Sequence, residues 1–372
     1  MDAIRRDWRA GAGLSLMAWD QDLEVLSPVG RPMSEQMAEG PRRQALDGFD
    51  PVYRDIVDYI VRCTHRIWEE KNAGLCRTHY GAECVMHTLA GPTTGIETVT
   101  QNTVAAVTSY ADRVVLAEDV IWSEDAPGVF YSSHRISSRS THFGDEPLVG
   151  AATMRGTGAT TIADCKVVAN RIVEEWLVRD NSRALWQVGA EPSEVAAAVA
   201  ALDREGDQTR HDWRKAAIAE TRSMGNVDID PGHPAFACAR MLCRAFVEDL
   251  YGEAAQQLSP AAEVRWPSNR HGFGRGYWIG CLTQIAAVLH DRAWRCEHVA
   301  ARPLPRGDIA VALRWSLTGW HRGTGVWGEP SGRELYLLAA SHYRLRDGCI
   351  VEDVTVFDEV AVLRQIAGGL GA

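Results

Sequence analysis

The stretch "IVEDVTVFD" (350–358) sets acids among β-branched and aromatic residues. In a strand of period two, Ile350, Val354 and Val356 share a face with Glu352 and Asp358. A carboxylate half-buried on such a face is costly unless it is paired or used. Burial also raises a carboxyl pKa toward neutrality, which suits a general base. The partner depends on the turn "RDGC" just before. A three-residue loop Arg346-Asp347-Gly348, with Gly348 in the left-handed bulge position, pairs Leu345 with Cys349 and sets His342 beside Glu352. A two-residue Asp347-Gly348 loop sets His342 beside Asp353, on the other face. The first register is preferred: Asn170, which tolerates positive φ, stands for Gly348 in an earlier copy of this motif, and Ala169 stands for Asp347. His342, Glu352 and Asp358 are therefore expected in one pocket. The plainer readings are that Asp358 caps the helix beginning near Glu359 and that His342 is a satisfied histidine on a sheet.

"VRWPSNRHGFGRGYW" (264–278) gathers Trp266, His271 and Tyr277 around three glycines. As a pocket wall it offers aromatic faces to a flat ligand and a donor to an oxyanion; as a plain loop it needs the glycines anyway. Its GxGxG spacing is not a dinucleotide fingerprint. Trp315 lies on an alternating stretch, and His321 follows where that strand ends. The earlier copy keeps Glu174 and Asp180, has Asp164 where His342 stands, and adds His87, His134 and His142. These define a second candidate pocket, although each histidine alone is more readily a structural one.

The elements that must position these residues are written twice. Ile172, Val173, Glu174, Val178, Asp180, Leu185 and Gln187 recur as Ile350, Val351, Glu352, Val356, Asp358, Leu363 and Gln365, a constant spacing of 178. Arg135 recurs as Arg314, and Ala105–Val107 as Ala286–Val288, with small drifts that keep the order. Two long copies imply a duplicated domain rather than a solenoid. The organisation read from this is an arm (1–50), a first domain (51–190), a helical linker (191–232) and a second domain (233–372). Each copy opens with helical spacing (Ile56, Ile60, Cys63, Ile67; Leu242, Phe246, Leu250) and closes in strands, most plainly "IAVALRWSLT" (309–318). Helices followed by an antiparallel sheet predict an α+β fold.

With 372 residues, 46% of them hydrophobic, the chain can bury two cores. Its net charge of -10 disfavours nucleic acid and anionic membranes and leaves small-molecule partners. Nine Cys without a CxxC pair suggest a reducing cytoplasm, and no signal-like or membrane-length apolar run is present. No metal-ligand spacing or cofactor motif is visible, so no metal and no cofactor are expected.

A sheet ending in "DGCIVEDVTVFD" and followed by "VLRQI" resembles the NTF2-like superfamily, specifically its SnoaL-like polyketide cyclase branch. Both copies share the resemblance: "GEPSGRE" (328–334) matches a PTGR-like turn of that branch, and "GAATMRG" (150–156) is a worn version. The resemblance implies two tandem cones, each a curved sheet around helices and an apolar pocket. Single-domain members pair through their sheets, so this chain is expected to form that pair internally and need no second subunit. It also implies cofactor-independent proton transfer next to a carbonyl, by a cyclase, isomerase or lyase, with Asp358 as base and the second copy as the catalytic half. The rival reading is a non-catalytic protein that binds a hydrophobic ligand or a protein partner.

Overall fold

The computed structural model describes residues 27–146, 149–205 and 212–369. They divide into an N-terminal unit (27–88 and 92–191) and a C-terminal unit (89–91 and 192–369). The first half of the expected arm, 1–26, lies outside the described residues.

In the N-terminal unit, α1 (Met33–Gln36), α2 (Ile56–Trp68) and α3 (Cys76–His79) precede β1 (Tyr80–His87), β2 (Thr93–Thr94) and α4 (Ile96–Ser109). Then come β3 (Val114–Ala126), β4 (Val129–Thr141), β5 (Gly156–Val168), β6 (Arg171–Arg179) and α5 (Asn181–Val188). Asp55 starts α2 by accepting from the Asp58 amide at 2.7 Å. Ile56, Ile60, Cys63 and Ile67 then face the core, as their spacing predicts. Residues 42–53 fold back onto α2: Arg42 donates to the carbonyls of Leu46, Phe49, Asp50 and Tyr53, and Phe49 meets Tyr59 edge-on at 5.1 Å.

The C-terminal unit contains α6 (Pro192–Glu205), α7 (Asp212–Ser223), α8 (Pro234–Phe246), α9 (Tyr251–Ala254), β7 (Leu258–Trp266), β8 (Arg270–Phe273) and α10 (Gly274–Val288). It closes with β9 (Leu289–Pro303), β10 (Ile309–His321), β11 (Glu334–Arg346), β12 (Cys349–Phe357) and α11 (Glu359–Ile366). The segment read as a linker joins this unit. Asp203 of α6 forms an ion pair with Arg364 of α11, and Thr221 of α7 bonds Ser316 of β10 at 3.0 Å. That contact, with Trp213 against Tyr336 at 6.0 Å, lays α7 on the sheet face turned away from α8. Stretch 264–278 is not a loop but the end of β7, a tight turn through Ser268 and Asn269, β8 and the start of α10.

The two sheets have one topology, β2-β1-β6-β5-β4-β3 and β8-β7-β12-β11-β10-β9. Their irregularities match as well. A bulge leaves Glu118 on β3 beside Arg135 at 3.1 Å, and its counterpart leaves Glu297 on β9 beside Arg314 at 3.2 Å. The fold is α+β, two units of one topology, each a six-stranded sheet packed on helices.

Candidate active site

The closing hairpin corrects the expected register. Arg346 pairs with Cys349 across a two-residue loop whose members, Asp347 and Gly348, have φ of 49° and 76°. Ala169 and Asn170 form the same turn in the first copy, at 45° and 68°. Both central residues at positive φ make the turn that suits strand twist. A bulge comes next, between Leu345–Ile350 and Arg344–Glu352, so Tyr343 faces Asp353 and His342 faces Val354. The turn alone would have placed His342 beside Asp353; the extra residue on β12 moves it one step further.

His342 and Glu352 do share a face, but not the one that packs on the helices. That inner face is marked by Trp315, whose ring meets Phe246 of α8 at 5.6 Å and whose partners in β11 alternate with His342. Glu352 is held on the outer face by Arg265 and, at 2.9 Å, by Arg344. Asp358 caps α11, accepting from the Val360 and Ala361 amides at 3.1 and 3.2 Å. Of the three residues expected in one pocket, His342 and Glu352 thus lie on the outer face and Asp358 at the start of α11.

The remaining expected residues are dispersed. Asp180 caps α5 through the Arg183 amide at 3.2 Å, matching Asp358. Asp164 lies buried opposite Trp176 on the outer face of the first sheet, where His87 bonds Glu174 at 2.9 Å and stacks on Trp176 at 5.0 Å. His142 and His321 are equivalent turn residues: each ring Nδ1 accepts a backbone amide, of Thr153 and of Ser331, at 3.2 Å. His271 is exposed and bonds Glu263 at 3.0 Å, and Tyr277 is half-buried. Trp266 and Trp315 are buried in the C-terminal core.

That core contains a carboxylate absent from the sequence-predicted site. Asp353, 0% exposed, accepts from the indole N–H of Trp266 at 3.1 Å and of Trp278 at 2.9 Å on one oxygen. Its other oxygen takes the Thr355 hydroxyl at 2.7 Å. The chain continues outward from Thr355 to Ser341 (2.7 Å) and to the Trp315 indole N–H (2.9 Å). Burial pushes the Asp353 carboxyl up to about 6, against these donors.

Identical registers make Glu175 the counterpart of Asp353: Cys165 faces Glu175 as Tyr343 faces Asp353. Around Glu175 the helices and sheet enclose a cavity of about 230 Å³. It is roomier because small side chains replace large ones: Cys165 stands where Tyr343 does, Ile136 where Trp315 does, and Thr88 where Trp266 does. Glu175 is buried and accepts from Tyr80 Oη at 2.9 Å. Burial raises its pKa, while the Tyr80 hydrogen bond and then the Arg179 charge pull the other way. His134, also lining the cavity, is driven by burial down to about 3 and is neutral; its Nδ1 faces Thr64 Oγ1 at 3.5 Å and its Nε2 has no protein partner. Trp68, Tyr110, Arg113, Glu146 and Arg179 also line the cavity. The sequence signal for Glu175 and Asp353 is an acid at equivalent positions of both copies, Glu in one and Asp in the other, with no identity between them to mark it. Among the described residues, no cluster of three or more His, Cys, Asp or Glu is placed to hold a metal ion, and no helix is long and apolar enough to cross a membrane.

Residues 298–366, most of the C-terminal sheet with its closing helix, match the model of the SnoaL-like polyketide cyclase family. No match to a curated protein was found. Among solved structures, the chain is similar to wild-type IdmH from Streptomyces antibioticus, described as a candidate polyketide cyclase. The two are 27% identical, over 36% of this chain and 98% of that one, with a TM-score of 0.30. TsrD from Streptomyces laurentii is 16% identical over 38% and 98% (TM-score 0.31). An NTF2-like protein from Exiguobacterium sp. 255-15 is 16% identical over 34% and 99% (TM-score 0.27).

Proposed function

We propose that the chain is an acid/base enzyme of the cyclase or isomerase type, acting on a small, largely apolar carbonyl compound in the cavity of the N-terminal unit. The observation that carries the reading is Glu175, a buried carboxylate of raised pKa in the wall of a cavity large enough for a substrate. A protein that only binds an apolar ligand has no use for such a group, which is costly to bury. The family match in the C-terminal unit supports the cyclase class, and the shared topology extends the fold, but not the residues Asp358, His342 and Glu352, to the N-terminal site.

In this mechanism ionised Glu175 takes a proton from the carbon next to the substrate carbonyl, and the C–H electron pair moves into that carbonyl to give an enolate. Neutral His134 donates its Nε2–H to the enolate oxygen. The enolate then either attacks a second carbonyl, whose oxygen takes the proton back from Glu175, or is reprotonated by Glu175 at another carbon. Tyr80 steadies the carboxylate in its ionised form.

Deuterium uptake from solvent into a panel of cyclic monoketones tests this. The parent protein is expected to exchange faster than buffer, and Glu175→Gln to lose on the order of 10²–10⁴-fold of that rate with an unchanged melting temperature. A folded Glu175→Gln that exchanges at the parent rate removes Glu175 from the chemistry.

A further inference from the structure

Arg113 precedes β3 and lines the cavity with its guanidinium between two rings, 5.0 Å from the centroid of Trp68 and 5.0 Å from that of Tyr110. The rings stabilise the charge through their faces but accept none of the in-plane N–H groups. No ion pair or side-chain hydrogen bond holds this guanidinium among the described residues, and its buried Nε has no acceptor. Its position is fixed from behind: Lys71 Nζ donates to the backbone carbonyls of Trp68 at 2.6 Å and Arg113 at 2.8 Å, joining the two halves of the clamp and adding a second cation. Arg179, on the cavity face of β6, is a third. Burial and then the charge of Arg179 bring the Arg113 guanidinium down to about 10; Tyr110 and Glu146 act the other way with less effect. Arg113 is half-buried, its neighbours Lys71 and Arg179 are cations, and Glu146 in the same lining offsets them only in part, so a guanidinium whose fork of donors faces the cavity calls for an anion. A planar guanidinium meets a carboxylate through two parallel hydrogen bonds.

We propose that this cavity selects ligands carrying a carboxylate, which Arg113 receives edge-on from its clamp between Trp68 and Tyr110, with the apolar body of the ligand lying toward Glu175. The volume of about 230 Å³ exceeds the ~150 Å³ that is enough for benzene, so a ring system bearing one acid group fits. The inference rests on the cavity of the proposed function but not on proton transfer by Glu175, and binding measurements read it without turnover.

The test titrates the full chain with 2-naphthoate and its neutral isostere 2-naphthamide, measured by calorimetry. The parent protein is expected to bind the carboxylate about tenfold more tightly. Arg113→Met, which keeps an unbranched apolar stem between the rings, is expected to reduce that preference to less than about twofold while leaving naphthamide affinity in place. Glu175→Gln keeps the preference even where exchange is lost, so the two proposals fail separately. Equal affinities in the parent protein overturn the proposal with no variant needed, and so does a folded Arg113→Met that retains the preference. Should Arg113→Met fail to fold, Arg113→Lys replaces it: the charge stays, the fork is gone, and most of the preference is expected to go with it.

Discussion

Asp353 and Glu175 are matched acids whose pKa values are both raised by burial. Asp353 holds a proton in the folded chain that the unfolded chain releases, because burial lifts it from 3.8 to about 6. Stability of the C-terminal unit therefore falls as pH rises through that window, by roughly 3 kcal/mol at 1.36 kcal/mol per unit. Asp353→Asn removes the titration, and urea melts are expected to show the variant more stable than the parent at pH 8 but not at pH 4.5. Glu175 has the same sign: burial raises its pKa, so exchange activity is expected to rise with pH along a limb displaced upward, which Glu175→Gln abolishes. The helix caps behave differently. Asp358→Asn and Asp180→Asn keep an oxygen facing the same amides, and Asn caps about as well as Asp. Each is expected to change the unfolding free energy by no more than a few tenths of a kcal/mol and to leave deuterium exchange intact; loss of exchange in either would return that residue to the mechanism.

At the scale of elements, helix spacing and strand alternation sufficed for α2, α8 and β10, because Ile, Leu and Trp at fixed intervals have one place to go. They could not convey the bulge after each closing turn. Val173 and Val351 are β-branched residues at home in any strand, and nothing in their type marks an extra residue that swaps the faces of the rest of the strand. The acid facing the core is consequently Glu175 or Asp353, not Glu174 or Glu352. Nor could spacing reveal that β7, β8 and α10 share a short Gly-rich stretch, since turns and β8 together take only a few residues there. The hairpins also carry a testable defect. Ala169 sits at a φ of 45°, in a region that costs an L-residue ~1–2 kcal/mol. Ala169→Gly is expected to raise the urea midpoint of the N-terminal unit by an amount worth about 1 kcal/mol, and an unchanged or lower midpoint would mean that the Ala169 methyl packs well enough to offset the strain.

Across the whole molecule, one topology has been used in two ways. The N-terminal unit keeps space in front of its acid, whereas the C-terminal unit fills the same position with Trp266, Trp278 and Tyr343, none more than 4% exposed. The chain is therefore expected to take up one equivalent of 2-naphthoate, and the ligand to raise the unfolding temperature of the N-terminal unit alone. A calorimetric stoichiometry of two would show that the C-terminal core opens to admit a second. The indole N–H groups that converge on Asp353 have a further use: they show what faces the acid when protein, rather than space, occupies the equivalent position. A compound designed for that cavity can copy them, presenting a flat bicyclic body with a ring N–H toward Glu175, and the C-terminal unit supplies the template from which to draw it.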